Sequence, residues 1–161
     1  MLKLKDMLTR NKGNEIFLVK TEGKIKGRIH LVKERLEDFK FEIDLRNNKA
    51  RVVINEGIKI KIKGQIPTYT FSYIKDRVAT LIQELKSNGC VTRLLLFKIK
   101  AENSNGRLEI FSLLGMKIKI STREFDVEIK YPTSGDIQFA EQVIKDVLFE
   151  MSKLDFYISL L

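Results

Sequence analysis

The sequence predicts an α+β fold: a two-layer sandwich in which a curved antiparallel sheet of about nine strands carries two long helices on one face. Apolar residues alternate with charged ones along most of the predicted strands, which is the period of a strand with one buried face. Two long segments instead repeat apolar residues at helical spacing, and each follows a run of strands. Because each alternating strand has one dry face, the two amphipathic helices are the natural cover of the sheet.

The size and composition indicate one domain, residues 1–161, with 43% hydrophobic residues available for a core. The single cysteine, Cys90, excludes an internal disulfide framework and a cysteine-based zinc site. The single histidine, His30, excludes the usual metal sites that use two histidines. No segment approaches about 18 uncharged apolar residues, and the N-terminus lacks the apolar run of a signal peptide. We therefore expect a cytoplasmic protein.

The first predicted elements are a short helix over 2–10 and a run of strands. Five segments read as strands, each bounded by turn residues: 16–21, 24–33, 39–46, 51–54 and 58–63. The last of these, Ile58-Lys-Ile-Lys-Ile-Lys63, alternates strictly between apolar and charged residues. Only a strand with one dry face satisfies that pattern.

The first long helix is predicted after Pro67, where the period of the apolar residues changes. The residues that then recur at helical spacing are Phe71, Ile74, Val78, Leu81, Ile82 and Leu85. Thr70 is placed to cap the N-terminus of this helix, and Lys86-Ser-Asn-Gly89 is a strong signal for its end.

Strands return after Cys90 and lead to the second long helix. Four segments are predicted to be strands: 94–100, 107–113, 116–120 and 125–131. The turn residues from Pro132 to Asp136 end the sheet, and Ser134 or Asp136 offers an N-cap. The helix that follows extends to Leu154, and the tail 156–161 is apolar for a chain end.

This order suggests an internal repeat of four strands and a helix, ββββα, over residues 15–89 and 90–161. The triplet Ile74-Lys-Asp76 in the first helix recurs 70 residues later as Ile144-Lys-Asp146 in the second. The four strands that precede each helix also align to within a few residues.

At the level of element order, the chain resembles two known architectures. A duplicated unit of antiparallel strands followed by a long helix resembles the TATA-box-binding-protein fold, which implies a curved sheet that saddles a ligand. The long helix at the chain end resembles the helix-grip domains of the START and Bet v 1 proteins, which implies a sheet wrapped around a helix and an apolar cavity. Neither resemblance rests on a motif, so no functional residue is carried over from either family.

The charge of +9 is confined to one part of the chain. Residues 1–89 hold 20 Lys+Arg and 11 Asp+Glu, whereas residues 90–161 hold 10 of each. A basic surface favours anionic partners such as nucleic acid, phosphorylated ligands or an acidic protein. The competing interpretation is that lysine-rich sequences are also typical of thermophilic proteins, in which the lysines serve solubility.

The candidate anion-binding residues lie on the charged faces of two predicted strands. They are Lys24, Lys26, Arg28 and His30 on one strand, and Lys59, Lys61 and Lys63 on another. Neighbours on one strand face stand roughly 7 Å apart, so such rows suit the phosphates of a nucleic-acid backbone. The alternation places the aromatic residues Phe39, Phe41, Phe125 and Tyr131 on the dry side, which argues against base stacking.

The second half offers a charge ladder and weak signals for catalysis. Lys117 and Lys119 alternate outward, and Glu124, Asp126 and Glu128 are placed to pair with them. Glu128-Ile-Lys130 has the Glu-x-Lys form of metal-dependent nucleases, but Asp38-Phe-Lys40 and Glu84-Leu-Lys86 match it equally well. His30 lies among cations, Cys90 is predicted to be a buried inert thiol, and no glycine-rich phosphate loop is present. We predict no enzyme activity, no cofactor and no metal.

The apolar tail is the candidate oligomer interface. Its residues Phe156, Tyr157, Ile158, Leu160 and Leu161 must be buried, either on the protein's own core or on a second copy. Three functions stay open. The leading one is a binding protein whose basic first half contacts nucleic acid or another anionic partner. The others are a carrier of an apolar or acyl ligand and an assembly protein that forms a homodimer through its tail.

Overall fold

A computed structural model describes residues 2–3, 14–32, 38–65, 69–87, 91–95 and 97–161. Within these ranges the strands are β1 (Leu2–Lys3), β2 (Glu15–Thr21), β3 (Lys24–His30), β4 (Asp38–Asp44), β5 (Lys49–Ile54), β6 (Ile58–Gly64), β7 (Val91–Leu95), β8 (Lys98–Asn103), β9 (Gly106–Ser112), β10 (Met116–Thr122) and β11 (Phe125–Tyr131). The helices are α1 (Phe71–Ser87), α2 (Ile137–Ser152) and α3 (Leu154–Ser159).

The eleven strands form one open antiparallel sheet in the order β1-β2-β3-β4-β5-β6-β11-β10-β9-β8-β7. Each half of the chain is therefore a meander, and the last strand of one meander pairs with the last strand of the other. That central pair, β6 with β11, aligns Lys61 with Glu128 and Ile60 with Ile129. The predicted α+β architecture is confirmed, with two long helices on one face of an antiparallel sheet.

Alternation along the strands separates a buried face from an exposed face. In β6 the residues Ile58, Ile60 and Ile62 are buried, whereas the lysines between them are exposed. The predicted dry-side residues Phe39, Phe41 and Phe125 are likewise buried, and Tyr131 packs partly buried against the same core. The charged side chains of the sheet thus project away from the core.

The two long helices pack against each other and supply the rest of the core. Helix α1 buries Ile74, Val78 and Leu81, and α2 contributes residues such as Ile144 and Val147. Both predicted caps are confirmed. Thr70 Oγ1 accepts a hydrogen bond from Tyr73 N at 3.1 Å, and Asp136 Oδ1 accepts one from Phe139 N at 2.8 Å.

Two local predictions were wrong. The segment predicted as one strand over 94–100 is divided between β7 and β8, with a turn at Phe97. Residues 2 and 3 form a short strand paired with β2 instead of starting a helix, and the rest of the predicted helix over 2–10 lies outside the described residues. Cys90 also lies outside them.

With β1 left aside, each half contains five strands followed by a long helix, β2–β6 with α1 and β7–β11 with α2, where the predicted unit had four. The last three strands and the helix of the first half begin at Asp38, Lys49, Ile58 and Phe71, and those of the second half at Gly106, Met116, Phe125 and Ile137. The helix starts are thus 66 residues apart, so the matching Ile-Lys-Asp triplets, 70 residues apart, stand one helical turn out of step. The internal repeat stays a prediction.

No helix in the described ranges is long and apolar enough to cross a membrane.

Candidate anion-binding face of the sheet

The exposed face of the sheet carries the candidate anion-binding residues. Carboxylates on the neighbouring strands form ion pairs with some of these cations and not with others. Strand β3 lies beside β4, whose outward side chains are Asp38, Lys40, Glu42 and Asp44. Lys24 and Lys26 direct their Nζ atoms to the Glu42 carboxylate, at 3.4 and 3.7 Å. Two of the predicted cations thus share one carboxylate on the neighbouring strand.

Arg28 and His30, the other two candidates on β3, both face Asp38. Arg28 donates from Nε to Oδ1 at 3.1 Å and from Nη2 to Oδ2 at 2.9 Å, which is the two-pronged geometry that suits a carboxylate. This hydrogen bonding, together with the charge of Asp38, raises the pKa of Arg28 above its ordinary value. His30 Nδ1 lies 4.0 Å from Asp38 Oδ1. His30, which the sequence placed only among cations, therefore also has a carboxylate beside it.

The centre of the sheet differs from β3, because β5 and β6 carry no outward carboxylate. Their outward cations are Lys49, Arg51, Lys59, Lys61 and Lys63, which we call the central patch. Arg51 aligns with Lys61, and Lys49 aligns with Lys63, so like charges stand side by side across the two strands. None of the five forms an ion pair with a carboxylate of the described residues.

A shallow depression of about 470 Å³ opens on this face and extends from β5 to β9. Its charged lining residues are the cations Lys49, Arg51, Lys61, Lys63, Arg107 and Lys119 and the carboxylates Asp126 and Glu128. With six cations against two carboxylates, the depression has a formal excess of four positive charges. A concave surface of one sign concentrates the field that an anionic ligand meets.

Glu128 reports the field inside this depression. Partial burial acts to raise its pKa, but the hydrogen bond and charge of Lys117, with the charges of Lys130 and Lys61, outweigh burial and lower the pKa below its ordinary value. Lys117 Nζ lies 3.2 Å from Glu128 Oε1. A carboxylate in this position thus lies in an environment that favours negative charge.

The predicted ladder of the second half is present in part. Glu128 pairs with Lys117 and aligns with Lys119 across β10 and β11, as expected. Asp126 instead aligns with Lys63 of β6, and Glu124 lies 3.9 Å from the Nε atom of Arg77 on α1. The second half therefore contributes two carboxylates, Asp126 and Glu128, to the edge of the central patch.

Three exposed phenylalanines on this side of the protein were missed by the sequence analysis. Phe17 and Phe111 point outward from β2 and β9 with 40% and 39% of their surface exposed. Phe97, at the turn between β7 and β8, is 42% exposed, and its ring meets that of Phe111 edge-on with centroids 5.3 Å apart. The signal was available, because Phe17 is in phase with Glu15 and out of phase with the buried Ile16 and Leu18.

The tail, the candidate oligomer interface, folds back as α3. Tyr157, Ile158 and Leu161 are partly buried against the protein's own core. Phe156 and Leu160 remain 62% and 38% exposed. Three of the five predicted interface residues thus have a partner within the chain.

The described residues contain no group of three or more His, Cys, Asp or Glu side chains placed to hold a metal ion. Comparisons with protein-family models, with curated proteins and with solved structures each find no match to this chain.

Proposed function

We propose that the protein binds nucleic acid through the exposed face of its sheet, without catalysis, and that the central patch is the middle of the contact surface. The observation that carries this proposal is that Lys49, Arg51, Lys59, Lys61 and Lys63 form no ion pair with a carboxylate of the described residues. The cations of β3, in contrast, are engaged by Asp38 and Glu42.

Unpaired cations matter because phosphate binding is driven by charge neutralisation and counterion release. A lysine that already contacts a carboxylate must exchange that contact for a phosphate, so it gains less. A lysine that forms no ion pair loses no such contact, and the ligand also relieves repulsion between neighbouring cations such as Arg51 and Lys61. Among the predicted residues, the proposal therefore assigns more of the binding to β6 than to β3.

The experiment compares two triple variants that remove the same charge from opposite sides of the protein. The first carries Lys59→Gln, Lys61→Gln and Lys63→Gln on the central patch. The second carries Lys75→Gln, Lys86→Gln and Lys145→Gln on α1 and α2. Binding is measured as the anisotropy of labelled 20-mers of mixed sequence, as single-stranded DNA, single-stranded RNA and duplex, at 0.1 M salt.

We expect the first variant to lose roughly a hundredfold in affinity for single strands, because each phosphate contact contributes about 0.7 of a decade at this salt concentration. The second variant should stay within about threefold of wild type, an effect that reflects net charge alone. The proposal fails if wild type binds none of the three ligands, or if both variants lose affinity equally. Melting curves establish that each variant is folded.

The two other functions have less support. An apolar-ligand carrier needs an enclosed cavity between sheet and helices, whereas the depression in the sheet face and the groove between α1 and α2 are both open to solvent. A homodimer through the tail would have to rely on Phe156 and Leu160, since the other tail residues pack on the protein's own core.

A further inference from the structure

The cross-strand registers place one line of side chains straight across the exposed face without a carboxylate. In spatial order from β2 to β8 its members are Phe17, Arg28, Lys40, Val53, Lys59, Lys130, Lys117, Phe111 and Lys98. We call this line the cationic row. It holds six cations, and at about 4.8 Å between strands its eight steps span roughly 38 Å.

Two further lines of side chains run parallel to the cationic row, one after the other on the same side of it, and both have mixed charge. The adjacent line runs Lys26, Glu42, Arg51, Lys61, Glu128, Lys119, Glu109 and Lys100. The next line runs Lys24, Asp44, Lys49, Lys63, Asp126, Ser121, Arg107 and Glu102. Each contains three carboxylates. A polyanion that crosses the sheet therefore meets least repulsion along the cationic row.

Most cations of this row are not held in an ion pair with a carboxylate of the described residues. Arg28 contacts Asp38 and Lys117 contacts Glu128, whereas Lys40, Lys59, Lys98 and Lys130 form no ion pair with a described carboxylate. Lys40, Lys59 and Lys130 are exposed, and Lys59 and Lys130 are direct neighbours across β6 and β11. The two meanders thus each contribute, at the centre of the row, one lysine that forms no ion pair within the described part of the chain.

The row also carries aromatic side chains at both ends, separated by the cations. Phe17 lines a depression of about 430 Å³ together with the apolar residues Phe41 and Val53, the cations Lys26, Arg28, Lys40 and Arg51, and one carboxylate, Glu42. At the other end Phe111 forms a two-ring cluster with Phe97. Single exposed phenylalanines are common on protein surfaces. Here they lie on the same carboxylate-free line, on either side of its central cations, and a cationic surface with exposed rings is what proteins that bind unpaired strands present.

We infer that the ligand of this face is a single-stranded nucleic acid that lies across the strands along the cationic row, with phosphates on the lysines and unpaired bases against Phe17 and the Phe111–Phe97 cluster. The inference rests on the proposed function and adds the strandedness of the ligand and its path. A duplex gains only from the lysines, because its bases are already stacked on one another and cannot reach the phenyl rings.

The experiment measures affinities of single-stranded and duplex 12-mers for wild type and for substitutions at Phe111. The substitution Phe111→Leu keeps an apolar side chain but removes the ring, and Phe111→Ala removes both. We expect wild type to bind single strands at least tenfold more tightly than duplex. Both variants should lose about 5- to 150-fold in single-strand affinity, the range of stacking one base on an aromatic ring, while duplex affinity stays unchanged. Phe17→Leu tests the other end of the row in the same way.

Two charge variants test the path. Lys59→Gln with Lys130→Gln removes two cations from the cationic row, and Lys61→Gln with Lys119→Gln removes two from the adjacent line. The first pair should weaken single-strand binding several-fold more than the second.

Two results would overturn the inference while leaving the proposed function intact: equal affinity for duplex and single strand, or unchanged single-strand binding in all three phenylalanine variants. Failure of wild type to bind any oligonucleotide, with retention on vesicles of anionic lipid, would overturn both.

Discussion

Asp155 holds the start of helix α1 from 84 residues away: its Oδ1 atom accepts a hydrogen bond from the backbone N–H of Phe71 at 2.9 Å, and its Oδ2 atom accepts one from Ser72 at the same distance. These two N–H groups belong to the first turn of α1, where no carbonyl of the helix can reach them. Together with Thr70, which accepts from Tyr73, the carboxylate satisfies three of the free donors at this helix end. Helix α3, which contains most of the tail, is thus connected to the start of α1.

Asp155→Ala should lower the free energy of unfolding by about 1–2 kcal/mol, because it leaves two partly buried N–H groups without an acceptor and removes a negative charge from a helix N-terminus. Thermal and urea unfolding measure the loss. The matched control is Asp76→Ala, an exposed carboxylate on α1, which should stay within about 0.5 kcal/mol of wild type. Equal effects of the two substitutions would show that the contact of Asp155 contributes nothing specific.

Substitutions in α3 and the tail should affect stability according to how deeply each side chain is buried. Leu154→Ala should cost about 2–4 kcal/mol, because Leu154 is fully buried. Phe156→Ser with Leu160→Ser should change stability by less than about 0.5 kcal/mol each and leave the mass in solution unchanged, since both side chains are exposed and the rest of the tail is docked within the chain. Light scattering across a tenfold range of concentration decides the second point. A dimer that dissociates in this double variant would support the assembly function instead.

Gly27 is expected to be intolerant of any side chain. A Cβ atom there would lie 2.6 Å from Leu18 Cδ2, 2.6 Å from the Phe17 carbonyl oxygen and 2.8 Å from Phe41 Cζ. Gly27→Ala should therefore destabilise the protein by about 1–3 kcal/mol, because the neighbouring strands have to move apart.

Gly57→Ala is the matched control for Gly27→Ala, since its nearest contact, Pro132 Cγ, is 3.5 Å away. We expect a change within about 0.5 kcal/mol. Urea unfolding measures both variants, and a tolerated alanine at Gly27 would contradict the close approach of β2, β3 and β4.

The pH dependence of stability should depend on Glu128. Its pKa in the folded protein is lowered from the ordinary value of 4.5, so the stabilisation it provides is fully present above about pH 4.5 and is lost as the pH falls through the folded value. Glu128→Gln should therefore flatten the fall in stability between about pH 5 and pH 3. Lys117→Gln, which removes the hydrogen-bonding partner, should flatten it as well. Urea midpoints across this range are the measurement, and curves parallel to wild type for both variants would contradict the shift.

The strand faces and the helix caps could be predicted from the sequence, because each depends on residues that are close together along the chain. Strict alternation in Ile58–Gly64 fixes which side of β6 is dry, and the helix caps at Thr70 and Asp136 follow from the chemistry of their side chains. The single strand predicted over 94–100 was wrong for a related reason, since that prediction also depended on the local pattern of apolar residues alone. An apolar run without alternation does not show where a strand stops, so the turn at Phe97 left no signal in the period.

The candidate site could be predicted only in part. The sequence shows which cations point outward from a strand, but their neighbours depend on which strands lie side by side. That Glu42 contacts both Lys24 and Lys26 depends on the register of β3 against β4, and a shift by one residue would place different side chains opposite each other. That Lys59 meets Lys130 depends on pairing between strands of different halves, which packing of the whole sheet determines. The cationic row exists only in this register.

The salt dependence of single-strand binding shows whether the central patch contacts phosphates. The logarithm of the affinity for a single-stranded 20-mer is measured against the logarithm of the salt concentration, for wild type and for the Lys59, Lys61 and Lys63 to Gln triple variant. Contact through the phosphates predicts a straight decline for wild type and a slope about 2 units shallower for the variant, since each lost contact removes about 0.7. An identical slope in the two proteins would contradict the assignment of the central patch as the binding surface.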